Sequence, residues 1–281
     1  FIERSESFNK LETMNTKIKN TILKSSLNPD GILKLTLNSP HNHNALSEEM
    51  MLNIQSSLDD SINNKQIRVI IISSEGPTFS AGHDLKELTL GRKNPDKGKA
   101  YFKEIMTKCS KLMSTIVKNP KPIIAEISGT ATAAGCQLVA SCDLAYASKS
   151  AKFATPGVNI GLFCSTPMVA VSRNLSNKHS MEMLLSGELI SADKAEKIGL
   201  INKAVEDSLL KQHTFDVALK ISKKSAITLK IGKEAFYNQI DMTLSEAYNY
   251  ASQVMVENML NLDAKEGISA FIDKRKPNWQ D

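Results

Sequence analysis

The sequence predicts a layered α/β core followed by a helical C-terminal part. Three observations carry that prediction. Short apolar strand-like runs alternate with amphipathic helical segments through the first part of the chain, and the remainder is mostly helical in its spacing. Two of the strand-like runs, Val69-Ile70-Ile71-Ile72 and Pro122-Ile123-Ile124-Ala125-Glu126-Ile127, empty into turns of small residues that lead directly into helices. At 281 residues the chain is long enough for one large core.

In order, residues 1–27 are rich in Lys, Asn, Ser and Glu and read as a solvated extension. Gly31 to Asn38 alternates apolar and polar residues, as a half-buried strand does. The loop from Ser39 to Leu46 is turn-rich. Ser47 is placed to cap a helix over 47–63, with Glu48 and Glu49 at its positive end and Met51, Ile54, Leu58 and Ile62 on one face. A short buried strand is expected from Arg68 to Ser73. A tight turn follows at Phe79-Ser80-Ala81-Gly82-His83, with a helix starting at Asp84 and a polar, movable loop over 89–97.

The spacing then predicts a helix over 98–118, stopped by Asn119-Pro120-Lys121-Pro122. The next strand feeds the second turn, Ser128-Gly129-Thr130-Ala131-Thr132-Ala133-Ala134-Gly135, and a helix runs to about Cys142. Asp143 to Ala147 is strand-like, 150–157 and 161–167 are loops, and a helix opens near Thr166. Ser191 and Gly199 bound another helix, and Leu200 to Val205 is a short strand. Helices over 207–222, 225–239, 243–260 and 263–274 complete the chain. We read one domain over 28–281, with a core to about 205 and a helical region from about 206.

The net charge of +5 is mild for this length and suits anionic ligands; with scarce aromatics it gives no nucleic-acid signature. No apolar run approaches the roughly 18 residues of a membrane helix. Cys109, Cys136, Cys142 and Cys164 have neither disulfide-framework nor zinc spacing, which points to a reducing compartment. The chain starts at Phe1 rather than Met, so it reads as a fragment or as having lost its start, and no apolar secretory segment is seen.

A strand that delivers a small-residue turn to a helix entrance presents backbone N–H groups to an anion or a developing oxyanion. The two turns are therefore expected to face each other and to polarise one carbonyl between them.

These two turns, the Asn44-Ala45-Leu46 loop and Ser186-Gly187-Glu188-Leu189-Ile190-Ser191-Ala192 together resemble the crotonase (enoyl-CoA hydratase/isomerase) superfamily, from about residue 31 to the end. The runs Gly82 to Leu88, Ala131 to Gln137 and Phe153 to Val158 look most like a mitochondrial branch of it. The resemblance implies a spiral core of ββα units, a helical C-terminal trimerisation region, a homotrimer or dimer of trimers, and a mitochondrial location. It implies an acyl-CoA thioester as substrate or ligand, with no further cofactor, no metal, no nucleic acid and no membrane span.

By motif position the thioester oxygen would meet the N–H groups of His83 and Ala134, each worth about 3–4 kcal/mol to the developing charge. Ala45, Leu46, His83, Asp84, Leu85 and Lys86 would line the coenzyme A site. Phe271 and Lys274 would reach it from the C-terminal segment, with the Lys274 charge offered to a phosphate.

The same positions mark a departure. A hydratase of this family uses two glutamates; here they match Gln137, a candidate orienter, and Gly157, and a third position, used for acids elsewhere in the family, is Ser165. Gln cannot take a proton at neutral pH and Gly has no side chain, so two-glutamate hydration is not expected. The enzyme hypothesis is then a lyase, hydrolase or decarboxylase type of reaction on an acyl-CoA. The alternative is a non-catalytic acyl-CoA-binding regulator or scaffold of lipid metabolism. Cys164 with His83 invites a nucleophile–base reading, against the blander one of an inert thiol and a histidine that contributes only its N–H. Asp84 reads as a first-turn helix charge rather than a catalyst, and Cys109 and Cys142 as helix-face packing.

Overall fold

The computed structural model describes residues 21–280. The extension expected over 1–20 lies outside the described residues. Its last part is not an extension: Leu23–Leu27 forms strand β1, paired antiparallel with β2, Ile32–Leu37. Lys24, Ser25 and Ser26 lie exposed on this edge strand, so no apolar alternation marks it in the sequence.

Helix α1 (Glu48–Ile62) follows; Ser47 caps it through Met50 N–H, and Met50, Met51, Ile54 and Leu58 form its buried face. Strand β3 (Val69–Ser74) is buried on both faces, as a central parallel strand requires. Then come β4 (Thr78–Ser80), α2 (Leu85–Gly91) and α3 (Lys99–Lys118). Helix α2 extends into the segment expected to be loop. The turn beyond it is tied down: Asp96 accepts from the N–H groups of Gly98 and Ala100, and Arg92 lies over the Phe102 ring.

Next are β5 (Ile123–Ile127), β6 (Thr130–Thr132), α4 (Ala134–Ser141), β7 (Leu144–Ser148) and β8 (Lys152–Ala154). Strand β8 falls where a loop was expected. A 3-10 segment (Pro156–Ile160) leads to α5 (Pro167–Val171), α6 (Asn177–Ser186), β9 (Ile190–Ser191), α7 (Ala192–Ile198) and β10 (Lys203–Val205). Helices α8 (Leu210–Ser222), α9 (Ala226–Gln239), α10 (Leu244–Met259) and α11 (Leu262–Ile272) close the chain.

The strands build two sheets. The larger runs β1-β2-β3-β5-β7-β10, parallel apart from β1; the smaller runs β4-β6-β8-β9. Because strand side chains alternate, the large sheet feeds two cores. Leu35, Ile70, Ile72, Ile123 and Ala125 meet Ile54, Leu58, Leu112 and Ile116 on one side; Ile71, Ile124 and Tyr146 meet Leu210 and Ala218 on the other. The small sheet lies at the exits of β3 and β5 and carries both small-residue turns.

The C-terminal helices attach differently. Helices α9 and α10 add no apolar residue to the buried core of the single chain. Helix α9 is pinned by a polar lock: Lys233 Nζ donates to Asp143 Oδ2 at 2.7 Å and to the Ile116 and Lys121 carbonyls, and Tyr237 donates to Asp143 Oδ1 at 3.0 Å. Every Lys233 proton is thus used, as a buried ammonium requires. Among the described residues no helix is long and apolar enough to cross a membrane.

Candidate functional site

Strands β4 and β6 pair in parallel, Thr78 with Thr130 and Ser80 with Ala131, and bring both turns to one end of the small sheet. The turns are in close contact. A methyl group built on Gly82, whose φ is +90°, would stand 2.9 Å from Ala134 N and 2.9 Å from Ala133 Cβ. One built on Gly135 would stand 2.2 Å from the Ser80 carbonyl oxygen. Glycine is therefore required at both positions, by space, and at Gly82 by backbone conformation too. Thr132 Oγ1 donates to the Ala81 carbonyl at 3.2 Å and joins the two turns directly.

Among the described residues, neither the His83 N–H nor the Ala134 N–H has an internal acceptor. Ala134 is the first residue of α4, where no intrahelical acceptor exists. The peptide that carries this N–H is held through its carbonyl, Ala133 C=O, which accepts from Gln137 N–H at 3.0 Å, and the preceding peptide is held by Ala133 N–H donating to the Ala154 carbonyl at 3.0 Å. Ala133 itself sits at φ 49°, ψ −120°, a conformation that disfavours a Cβ. Ala133→Gly is expected to raise unfolding free energy by about 1 kcal/mol, measured by urea denaturation.

The Asn42–Leu46 loop is sewn to the first turn. Leu46 N–H donates to the Gly82 carbonyl at 2.7 Å, and Ala81 N–H to the His43 carbonyl at 3.0 Å. Buried Asn44 donates to the Glu75 and Thr78 carbonyls and accepts from Ser39 N–H. Ala45 and Leu46 are buried beside the turn, while Leu85 and Lys86 are exposed on α2.

Asp84 is committed as the α2 cap. Its carboxylate accepts from Lys86 N–H at 2.8 Å, Glu87 N–H at 3.3 Å and Asn42 Nδ2 at 2.7 Å. Burial pushes its carboxyl up, and these donors more than offset that, so it lies below the usual range. Its stabilising contribution is thus present above the unfolded carboxylate value and lost as pH falls through the folded one. Asp84→Ala is expected to cost about 1 kcal/mol at neutral pH, with a smaller difference from the wild type in acid, followed by thermal denaturation across pH.

His83 Nε2 is buried without a hydrogen-bond partner, and burial lowers the imidazole pKa, so the ring is neutral at pH 7. Gln137 is buried one turn into α4, and Cys109 Sγ of α3 donates to its Oε1 at 3.9 Å. In the sequence Cys109 has only a helix-face packing pattern; the crossing of α3 and α4 brings it to Gln137.

Cys164 forms no pair with His83. Its Sγ accepts from Gly157 N–H at 3.3 Å, and burial raises its pKa while that N–H opposes the rise. Beside Gly157 a methyl group would stand 2.7 Å from the Leu162 carbonyl oxygen and 3.0 Å from Cys164 Sγ. Ser165 is exposed and donates to the Phe163 carbonyl at 3.3 Å.

Phe271 and Lys274 are not brought to the turns within one chain. Helix α11 packs on α9 and α10 rather than on α2, and Phe271 is 86% exposed. A cavity of about 540 Å³ lies along α11 and the end of α10, lined by Met259, Leu262 and Ile268 among others, away from the facing turns. No cluster of three metal-ligating side chains occurs among the described residues.

The family model described as enoyl-CoA hydratase/isomerase matches residues 28–281. The chain belongs to this family. Its fold is that of the crotonase superfamily. The family's mouse member named enoyl-CoA hydratase domain-containing protein 3, mitochondrial, is 48% identical over 257 residues, covering 92% of this chain and 84% of the mouse protein. The crystal structure of the human protein of that name superposes with a TM-score of 0.88 at 46% identity, over 92% of this chain and 100% of that one. An enoyl-CoA hydratase structure from Mycobacterium smegmatis superposes with a TM-score of 0.88 at 41% identity, over 93% of this chain and 100% of that one. The mitochondrial location expected for this chain agrees with the name of the mouse relative.

Proposed function

We propose that this protein binds acyl-CoA thioesters in the mitochondrion and polarises their carbonyl between the N–H groups of His83 and Ala134. The reading rests on one observation above all. Two backbone donors without internal acceptors stand on turns packed to van der Waals contact, and the Ala134 peptide and the one before it are each fixed by a hydrogen bond. Such donors stabilise negative charge on the thioester oxygen without reorganising. Ala45, Leu46, Leu85 and Lys86 lie around the same turn and form the coenzyme A subsite in this reading. Phe271 and Lys274 reach a site on a neighbouring copy. The apolar, exposed Leu244, Leu260, Leu262 and Ile272 support a homotrimer built through the C-terminal helices.

Two-glutamate hydration is absent in this proposal. Gln137 and Gly157 take the places of the hydratase acids, and neither accepts a proton at neutral pH. A reaction that makes its own enolate fits what remains. In a malonyl-type thioester the bond to the carboxylate breaks, carbon dioxide leaves, the electron pair enters the held thioester as an enolate, and water returns a proton. A second reading, acyl-CoA binding without turnover, is favoured by the plug at Gly157, where the Leu162 carbonyl and Cys164 thiol fill the position of an acid.

The test is incubation of the full chain with a panel of enoyl-, 3-hydroxyacyl- and malonyl-type CoA thioesters, each followed by mass spectrometry. Conversion of one of them supports the enzyme. Retention of thioesters without conversion supports the binder. Neither conversion nor retention contradicts the site.

A further inference from the structure

We propose that Gln137 faces the acyl group as a hydrogen-bond donor, held in that orientation by the Cys109 thiol, so that the site favours acyl thioesters carrying an additional oxygen acceptor near the thioester carbonyl. This rests on the reading of the facing turns as an acyl-thioester site.

Gln137 follows Ala134 by three positions on α4, so the two share a helix face. The side chain is only 4% exposed. Its Oε1 is taken by Cys109 Sγ–H from α3. A thiol is a weak donor, but burial pushes the Cys109 pKa up to about 12, so the proton is present throughout the physiological range. With Oε1 turned to α3, the planar amide directs Nε2 and its two protons the other way. Among the described residues no acceptor takes them.

His83 adds a sealed, unpartnered group, its Nε2, on the turn that carries the first oxyanion amide. Gln137 Nε2 is not sealed from water, so an apolar acyl chain placed against it strips that donor, whereas a ligand oxygen replaces the water. A hydroxyl, a ketone or a carboxylate on the acyl chain supplies one; a saturated or enoyl chain does not. A site built to hydrogen-bond a ligand group rejects analogues that lack it. Cys109 is then a positioning residue, fixing which end of the Gln137 amide meets the ligand.

The experiment measures dissociation constants of the full chain for butyryl-CoA, 3-hydroxybutyryl-CoA, acetoacetyl-CoA and malonyl-CoA by calorimetry. The expected wild-type result is tighter binding of at least one oxygenated member than of butyryl-CoA by about tenfold. The ratio to butyryl-CoA is the readout, because a general loss of folding moves all four together. Cys109→Ala is expected to lower the ratio to about twofold, with partial recovery in Cys109→Ser, and Gln137→Leu to abolish it. Which oxygenated thioester leads distinguishes hydroxyl, ketone and carboxylate. Equal wild-type affinities for all four overturn the inference and leave the acyl-thioester site standing. An unchanged ratio in folded Gln137→Leu overturns it too. Failure of every thioester to bind overturns both.

Discussion

Ala134→Pro is expected to lower turnover of the acyl-CoA substrate by about a hundredfold, or, in a protein that only binds, to remove the polarisation of the bound carbonyl. Proline deletes the N–H, which donates to no group among the described residues, and its ring also adds a carbon at a nitrogen packed against Gly82, so the fold of the variant is checked first. The first turn of a helix tolerates proline. Ala133, at φ 49°, is the strained neighbour, so circular dichroism and thermal denaturation accompany the kinetics. Gly82→Ala gives an independent approach. Its Cβ would stand 2.9 Å from Ala134 N at a φ of +90°, and the expected result is the same loss by displacement of the amide rather than its deletion. An unchanged rate in both folded variants contradicts the oxyanion role.

Gly157→Glu, alone or with Gln137→Glu, is expected to create no enoyl-CoA hydratase and to destabilise the protein by about 3 kcal/mol. On the proposed assignment of Gln137 and Gly157 to the acid positions, two carboxylates in name do not make two carboxylates placed in space. The backbone at Gly157 leaves no room even for a methyl group, with the Leu162 carbonyl oxygen at 2.7 Å and Cys164 Sγ at 3.0 Å. A longer side chain has to expel the 162–164 segment, whose Leu162 N–H also donates back to the Gly157 carbonyl at 2.9 Å. The check is urea denaturation beside an assay of crotonyl-CoA hydration. A stable, hydrating double variant contradicts this account of the plug.

The parts of the fold readable in the sequence are those with enough residues to show a period. Met51, Ile54 and Leu58 announce α1, and the run through Ile72 announces a strand buried on both faces. The small sheet is invisible because its strands, such as Thr78–Ser80 and Lys152–Ala154, are too short to show alternation. Strand β1 is invisible because Lys24, Ser25 and Ser26 sit on an exposed edge. In the site, the turns themselves are readable, since close backbone approach demands residues like Gly82 and Gly135. What lies against them is not. Cys109 meets Gln137 through the packing of two helices, and Cys164 closes on Gly157 through a loop. For Phe271 and Lys274 the sequence names residue types but not the surface they face, which α11 turns outward in the single chain.

The most direct test of the central claim is the infrared spectrum of a bound acyl-CoA labelled with carbon-13 at the thioester carbonyl. Two donors on one oxygen lengthen the C=O bond and lower its stretching frequency. The expected result is a shift to lower frequency on binding to the wild type, reduced in folded Ala134→Pro. A bound thioester whose carbonyl band stays at its solution position contradicts the account, because the ligand would then be held without contact to the His83 and Ala134 amides.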